Sequence, residues 1–185
     1  MPRALWMLMI GMAVYVTGAS FLWPLNAIYV HDELHKPLSV AGIVLMLNSA
    51  ATIAGNLLGG VLFDKWSGFR TLMMGAATTL AAIVSLIFFH GWPHYPIFLT
   101  IIGLGAGIVF PVMNAYAGAV WPEGGRKAFN AIYVAQNVGV AAGSALGGWI
   151  ASYSFDWIFV ANSLMYDLFF ILTYLPRSLP PLSEV

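Results

Sequence analysis

Six long apolar runs separated by short polar gaps make up most of this chain. They extend over about residues 4–30, 39–63, 71–89, 95–120, 128–151 and 157–175. Each is close to or longer than the roughly 20 residues an α-helix needs to cross about 30 Å of hydrocarbon. In lipid, backbone N–H and C=O groups must be satisfied within the segment, and the alternation of barrel strands is missing, so these runs are expected to be helices. The gaps are short, which predicts that neighbours in sequence are antiparallel neighbours in space. The first run starts just after Arg3 but continues through Trp23, Pro24 and Ile28 towards Asp32. A secretory apolar core is shorter and ends at small residues, so this run reads as a retained span. Pro176, Pro180 and Pro181 end the sixth run and predict a Pro-rich tail or the start of an inter-domain linker over 176–185.

Composition sharpens the class. The 185 residues are 61% hydrophobic and 8% charged, which a soluble domain could not expose without precipitating. Net charge is zero, so nothing points to nucleic acid, and the absence of cysteine removes disulfides, thiolate metal sites and thiol catalysis. The expected fold class is an all-α membrane protein with six transmembrane helices and the lipid bilayer as its surroundings. Of the seven basic residues, Arg3, Lys65, Arg70, Arg126, Lys127 and Arg177 fall in every second gap or at the ends, and only Lys36 lies in the other set. Lys and Arg near spans stay on the cytoplasmic side, which predicts a multi-pass protein of the cell membrane with both termini inside.

Polar and glycine positions within the runs carry the candidate chemistry. The fifth run contains the string GVAAGSALGG, in which Gly139 and Gly143 share a helix face and Gly147 lies slightly around from it. Small residues let membrane helices approach closely, so this is a packing face, while Asn130, Tyr133 and Asn137 fall roughly opposite. Candidates for a substrate-facing wall are Asn26, Asn114, Tyr116, Asn130, Tyr133, Gln136, Asn137, Asn162 and Tyr166. Amide and aromatic groups on an apolar wall suit an amphipathic, weakly hydrogen-bonding solute. Asp167 lies about ten residues into the sixth run, hence about 15 Å deep by the helical rise. A carboxylate there costs about 2.5–3.5 kcal/mol on insertion scales, and such groups mark ion or proton pathways, so Asp167 is the candidate for proton coupling or cation recognition, the alternative being a protonated, hydrogen-bonded structural carboxyl. Trp92, Tyr95, Trp121, Tyr153 and Trp157 fall where aromatic belts are expected. His31 and His35, and His90 and His94, have helical-turn spacing, but two such pairs make no metal site and read as solvent-exposed loop residues. No cofactor site is read from the chain: the GxxxxGK[ST] phosphate loop is absent, and GLGAG at 103–107 follows no strand.

The loop GGVLFDKWSGFR from Gly59 to Arg70 resembles the cytoplasmic signature loop of the major facilitator superfamily. Gly60, Asp64, Lys65 and Arg70 match, while Ser67 stands where glycine is preferred and Phe69 occupies one of two basic positions. The resemblance implies that Asp64 gates the inner interface against a second six-helix half; physically, a carboxylate at a helix C-terminus needs outside donors. The fifth-run string, Gly139, Gly143, Ser144, Gly147 and Gly148, is similar to a second signature found chiefly in the drug:proton antiporter branch, with Ser144 in place of proline. In a third pattern Leu99 occupies the position of a buried arginine. The resemblance covers the first helix to the sixth, which is the N-terminal bundle of a fold built from two such halves.

The resulting expectation is a secondary active transporter, not an enzyme, exporting amphipathic drug-like molecules by proton antiport with alternating access. Its partners would be a small-molecule substrate and a missing C-terminal six-helix half or a second copy, with a fragment of a longer protein favoured, because an isolated bundle would turn polar groups to lipid. The alternatives are a lipid or sugar facilitator of the same superfamily, or a non-transporting six-helix membrane interaction protein.

Overall fold

The computed structural model describes residues 1–174. Leu175, Arg177 and the expected tail over 176–185 lie outside the described residues. Among the described residues there are six long helices: α1 Arg3–Glu33, α2 Leu38–Lys65, α3 Gly68–Phe88, α4 His94–Val120, α5 Arg126–Ala151 and α6 Asp156–Tyr174. Helix α1 is continuous but not uniform. It tightens to a 3₁₀ turn at Trp23–Leu25, where Pro24 supplies no N–H, and widens to a π turn at Tyr29–Glu33. Ser67 accepts a hydrogen bond from the Arg70 N–H at 3.2 Å, so the residue that departs from the signature glycine caps α3.

Five of the helices are long and apolar enough to cross a membrane; α5 is long enough, at 26 residues, but is not among them. The reason lies in its own sequence. Asn130, Gln136, Asn137 and Ser144 and its many glycines and alanines dilute the apolar content that a lipid-facing helix carries.

The expectation that sequence neighbours pair in space is only partly met. The most extensive packing joins α2 to α4 and α1 to α5, followed by α3 to α4 and α1 to α6, whereas α5 and α6 barely touch despite their short connection. Glycine explains both leading seams. A Cβ on Gly103 would lie 2.5 Å from the Asn48 carbonyl oxygen, and one on Gly55 would lie 3.0 Å from the Cα of Gly107. On the other seam, a Cβ on Gly139 would lie 2.7 Å from the Ala13 carbonyl oxygen, and one on Gly147 would lie 2.8 Å from the Cα of Phe21. These backbones meet where side chains would hold them apart, and dispersion replaces the hydrophobic effect as the force between helices.

Two clusters of buried side chains stack along the bundle. One gathers Leu5, Met12, Tyr15, Leu72, Val109, Tyr116 and Phe169; the other, nearer the α1–α2 connection, gathers Phe21, Tyr29, Val44, Tyr95 and Phe159. Helix α2 buries only Ala41, Val44, Gly55 and Gly59 and leaves Ile53, Leu57, Leu58 and Val61 exposed. Helix α5 likewise exposes Tyr133, Val134, Val138 and Trp149.

Candidate functional site

A cavity of about 550 Å³ opens between α1, α2 and α4, with Val140 of α5 and two residues of α6 completing its wall. Its polar groups are Ser20 and Asn26 of α1, Asn48, Ser49 and Thr52 of α2, and Asn162 and Tyr166 of α6. Trp23, Leu99, Ile102 and Phe110 supply apolar surface, and no lining side chain carries a charge.

Local helix geometry accounts for most of these positions. Asn48 and Thr52 are four apart and therefore share a face of α2. Thr52 Oγ1 donates back to the Asn48 carbonyl at 2.9 Å, and Asn48 Nδ2 donates across the seam to the Leu99 carbonyl at 2.7 Å. That second bond runs to the residue standing where the family pattern has arginine. Asn26 is 2% exposed, and its Oδ1 accepts from Tyr95 Oη at 2.5 Å, which ties α1 to α4 at one end of the cavity. Asn162 and Tyr166, also four apart, are buried; Asn162 Oδ1 has no hydrogen-bond partner among the described residues, while the Tyr166 hydroxyl has that of Tyr15 as its neighbour. Buried polar atoms are normally paired, so the Asn162 oxygen beside a void stands out as a group that a ligand or water would satisfy.

Of the nine residues expected on the substrate wall, the structure brings Asn26, Asn162 and Tyr166 to the cavity. Tyr116 lies instead in the buried core cluster, Asn114 and Gln136 are half-buried, and Asn130, Tyr133 and Asn137 are exposed on α5. Asn137 Nδ2 donates within the helix to the Tyr133 carbonyl at 2.7 Å. Asp167 is exposed and does not line the cavity. It follows Tyr166 directly, and one residue is about 100° around a helix, which turns it onto the face carrying Leu164, Leu168 and Ile171. The sequence reading missed Ser20, Asn48, Ser49 and Thr52. The signal was available in the Asn48 and Thr52 pair, two polar residues one turn apart inside an apolar run.

Gly60, Asp64, Lys65 and Arg70 are all exposed around the α2–α3 turn, and none of the three charged groups forms an ion pair among the described residues. A Cβ on Gly60 would meet open space, so packing within this bundle does not require glycine there. On α5, Gly139, Gly143 and Gly147 face α1 as a unit, Ser144 is half-buried, and Gly148 is exposed with nothing near its Cα. His31 and His35 are exposed, but only His35 lies in a connection, since His31 sits on the π turn that ends α1; His90 is not free either, for its Nε2 lies 3.5 Å from Asp156 Oδ1 and its ring stacks on Phe159. Among the described residues no group of three or more His, Asp or Glu side chains is placed to hold a metal ion.

The chain is 64% identical over 174 residues to the MFS-type transporter YttB of Bacillus subtilis (strain 168), covering 94% of this chain and 44% of that protein. It is 27% identical over 161 residues to a Na(+), Li(+), K(+)/H(+) antiporter of Planococcus maritimus, covering 83% and 38%. It is 24% identical over 155 residues to the multidrug resistance protein MdtH of Aeromonas hydrophila subsp. hydrophila, covering 83% and 39%. The chain thus spans less than half the length of these curated relatives. Its fold superposes on the POT family transporter PepTSo with a TM-score of 0.85 at 17% identity, over 96% of this chain and 38% of that one. The family model of the Major Facilitator Superfamily matches residues 8–185, and the chain belongs to that superfamily of membrane transporters.

Proposed function

We propose that this chain is the N-terminal six-helix half of a secondary active transporter that exports amphipathic, drug-like molecules in exchange for protons. Both termini would face the cytoplasm and α5 would complete the set of six spans. The observation that carries this reading is the cavity itself, an uncharged pocket of amide, hydroxyl and aromatic groups on one side of a bundle. Such a wall favours solutes that bind through apolar area and a few hydrogen bonds rather than through a fixed charge. The exposed apolar faces of α2 and α5 support a second bundle closing over the cavity, with Asp64, Lys65 and Arg70 contacting it at the inner edge. Alternating access would then be rocking of one half against the other. Export and antiport are supported by the kinship with a multidrug resistance protein and an antiporter.

Asp167 is the proposed proton-coupling group, since it is the carboxylate deepest within a span. Its position off the cavity favours a second reading, in which the same fold acts as an uncoupled facilitator for a lipid or sugar. One experiment separates the two. The full-length protein is reconstituted in vesicles with an imposed proton gradient, and uptake of a fluorescent amphipathic dye is followed. Gradient-driven accumulation that collapses in Asp167→Asn supports antiport. Dye flux that only equilibrates, and that ignores Asp167→Asn, removes the coupling role. Absence of any dye flux, with Thr52→Val and Asn162→Leu indistinguishable from the parent in dye binding, removes the drug-export reading.

A further inference from the structure

Away from the cavity floor, at the end of the bundle opposite the Asp64–Arg70 turn, one histidine is held by three helices at once. His90 follows the last turn of α3. Its Nδ1 lies 3.2 Å from the Leu86 carbonyl oxygen, and its Nε2 lies 3.5 Å from Asp156 Oδ1 at the start of α6. The ring stacks on Phe159 of α6 with centroids 5.6 Å apart and planes 16° from parallel. Its backbone carbonyl accepts a hydrogen bond from Tyr29 Oη of α1 at 3.1 Å.

The two ring contacts together favour imidazolium over neutral imidazole. A backbone carbonyl only accepts, so Nδ1 must carry a proton to bond Leu86. The Nε2 contact with Asp156, at 3.5 Å between partly exposed side chains, is an ion-pair contact rather than a hydrogen bond, and it is attractive when the ring is charged. Neutral imidazole has a single N–H, whereas imidazolium has two. The ion pair with Asp156 is therefore present only when His90 is charged, whereas the Leu86 contact can be kept by a neutral ring with its proton on Nδ1. Imidazole is also the side chain whose charge ordinarily changes between about pH 5 and 8.

The link to the cavity runs through α1. Tyr29 begins the π turn Tyr29–Glu33, in which the Leu34 N–H reaches back to the Tyr29 carbonyl at 3.1 Å. π turns are rare and sit often at functional sites. One turn earlier is Asn26 and nearly two turns earlier Trp23, both of which line the cavity. Tyr29 also packs on Tyr95 and Phe159, with centroids 4.6 and 5.5 Å apart, and Tyr95 is the donor that holds Asn26.

We propose that His90 and Asp156 form a proton-dependent clasp that fastens the last turns of α1 to α3 and α6, so that one mouth of the cavity is tightened when His90 is charged and loosened when it is neutral. The mechanical part of this inference is independent of transport; only its consequence for the cavity rests on the proposed function. The other groups facing the pair do not replace either partner. Tyr29 and Glu33 come from α1 and Tyr95 from α4, and the α5–α6 turn from Ser152 to Phe155 carries no charge. His94 packs on Phe89, and Lys36 is engaged over the Trp92 ring at 5.0 Å.

The chain contains no cysteine, so a single introduced thiol reports the clasp directly. Val30, 1% exposed on the π turn, is replaced in Val30→Cys in the full-length protein, and its reaction rate with a small water-soluble thiosulfonate is measured at about pH 5.5 and about pH 8.5. The thiolate fraction cancels when backgrounds are compared at one pH. Adding Asp156→Asn is expected to raise the rate about two- to fivefold at the lower pH, the range that a single exposed ion pair supplies, and to change it little at the higher pH. His90→Gln should behave as Asp156→Asn does, and His90→Lys, charged at both values, should keep the slow rate at both. Leu34→Cys, half-buried on the adjoining turn, repeats the measurement should Val30→Cys disturb the core. Equal rates in the parent and Asp156→Asn at the lower pH, or the same ratio at both pH values, would overturn the clasp. A failed dye assay with this pH pattern intact would sink the transport reading alone.

Discussion

The sharpest test of how this bundle holds together is a single methyl group placed on Gly143. A Cβ there would fall 2.7 Å from the Cβ of Ser20 and closer still to the carbonyl oxygen of Thr17. Ordinary contact begins near 3.4 Å, and a helix carbonyl cannot swing aside as a long side chain can. Helices α1 and α5 must therefore separate by an amount on the order of 1 Å, and a gap of that size forfeits a quarter to a half of each dispersion well it crosses. With Gly139 and Gly147 on the same seam, the loss extends over more than two turns, and overpacking of this kind costs about 1–3 kcal/mol. Gly148, one position on from Gly147, has open space at its Cα and provides the control. There alanine removes only glycine's backbone freedom and is expected to stabilise by up to about 1 kcal/mol. The assay is thermal unfolding of the detergent-solubilised full-length protein carrying Gly143→Ala or Gly148→Ala. The expected result is a lowered midpoint for the first and an unchanged or raised midpoint for the second. Equal tolerance at the two sites would mean that close approach of α1 and α5 is not what joins them.

Three further outcomes follow from single contacts. Tyr95→Phe leaves Asn26 Oδ1 buried without its donor and should cost about 1–3 kcal/mol in the same unfolding assay, with Asn26→Leu on the Tyr95→Phe background recovering part of the loss. Ser67→Ala removes the cap of α3 and should cost about 1 kcal/mol, whereas Ser67→Gly, which restores the family residue, should cost only a few tenths. Asn162→Leu deletes a buried acceptor that has no partner among the described residues, so stability should hold or rise while dye affinity, read by fluorescence titration, falls about tenfold, the equivalent of one hydrogen bond of about 1.4 kcal/mol. A drop in stability without a drop in affinity would return Asn162 to a purely structural role.

Much of this molecule was legible in the chain because membrane insertion is a local requirement. Each apolar run must satisfy its own backbone, so helix positions and approximate lengths follow from residue order and the bilayer's thickness alone. Polar residues such as Asn26, Asn162 and Tyr166 also stood out as candidates for a polar wall, since an amide or hydroxyl in an apolar run is costly wherever it points. The Gly139, Gly143 and Gly147 spacing marked a close-packing face for the same kind of reason.

Depth along a helix is thus written in the sequence, but direction around it is not. In water the apolar face of a helix identifies the inside; in lipid both faces are apolar, so that cue is lost and van der Waals fit between whole surfaces decides which faces meet. Only the tertiary structure could pair α2 with α4 and α1 with α5 ahead of sequence neighbours. By the same rotation it brought Asn48 and Thr52 into the cavity wall, turned Tyr133 and Asp167 out to the bundle surface, and carried His90 from an apparent loop into contact with three helices. Tyr166 and Asp167 are adjacent in sequence and equal in depth to within one residue's rise, yet about 100° of helix separates a cavity wall from an exposed surface.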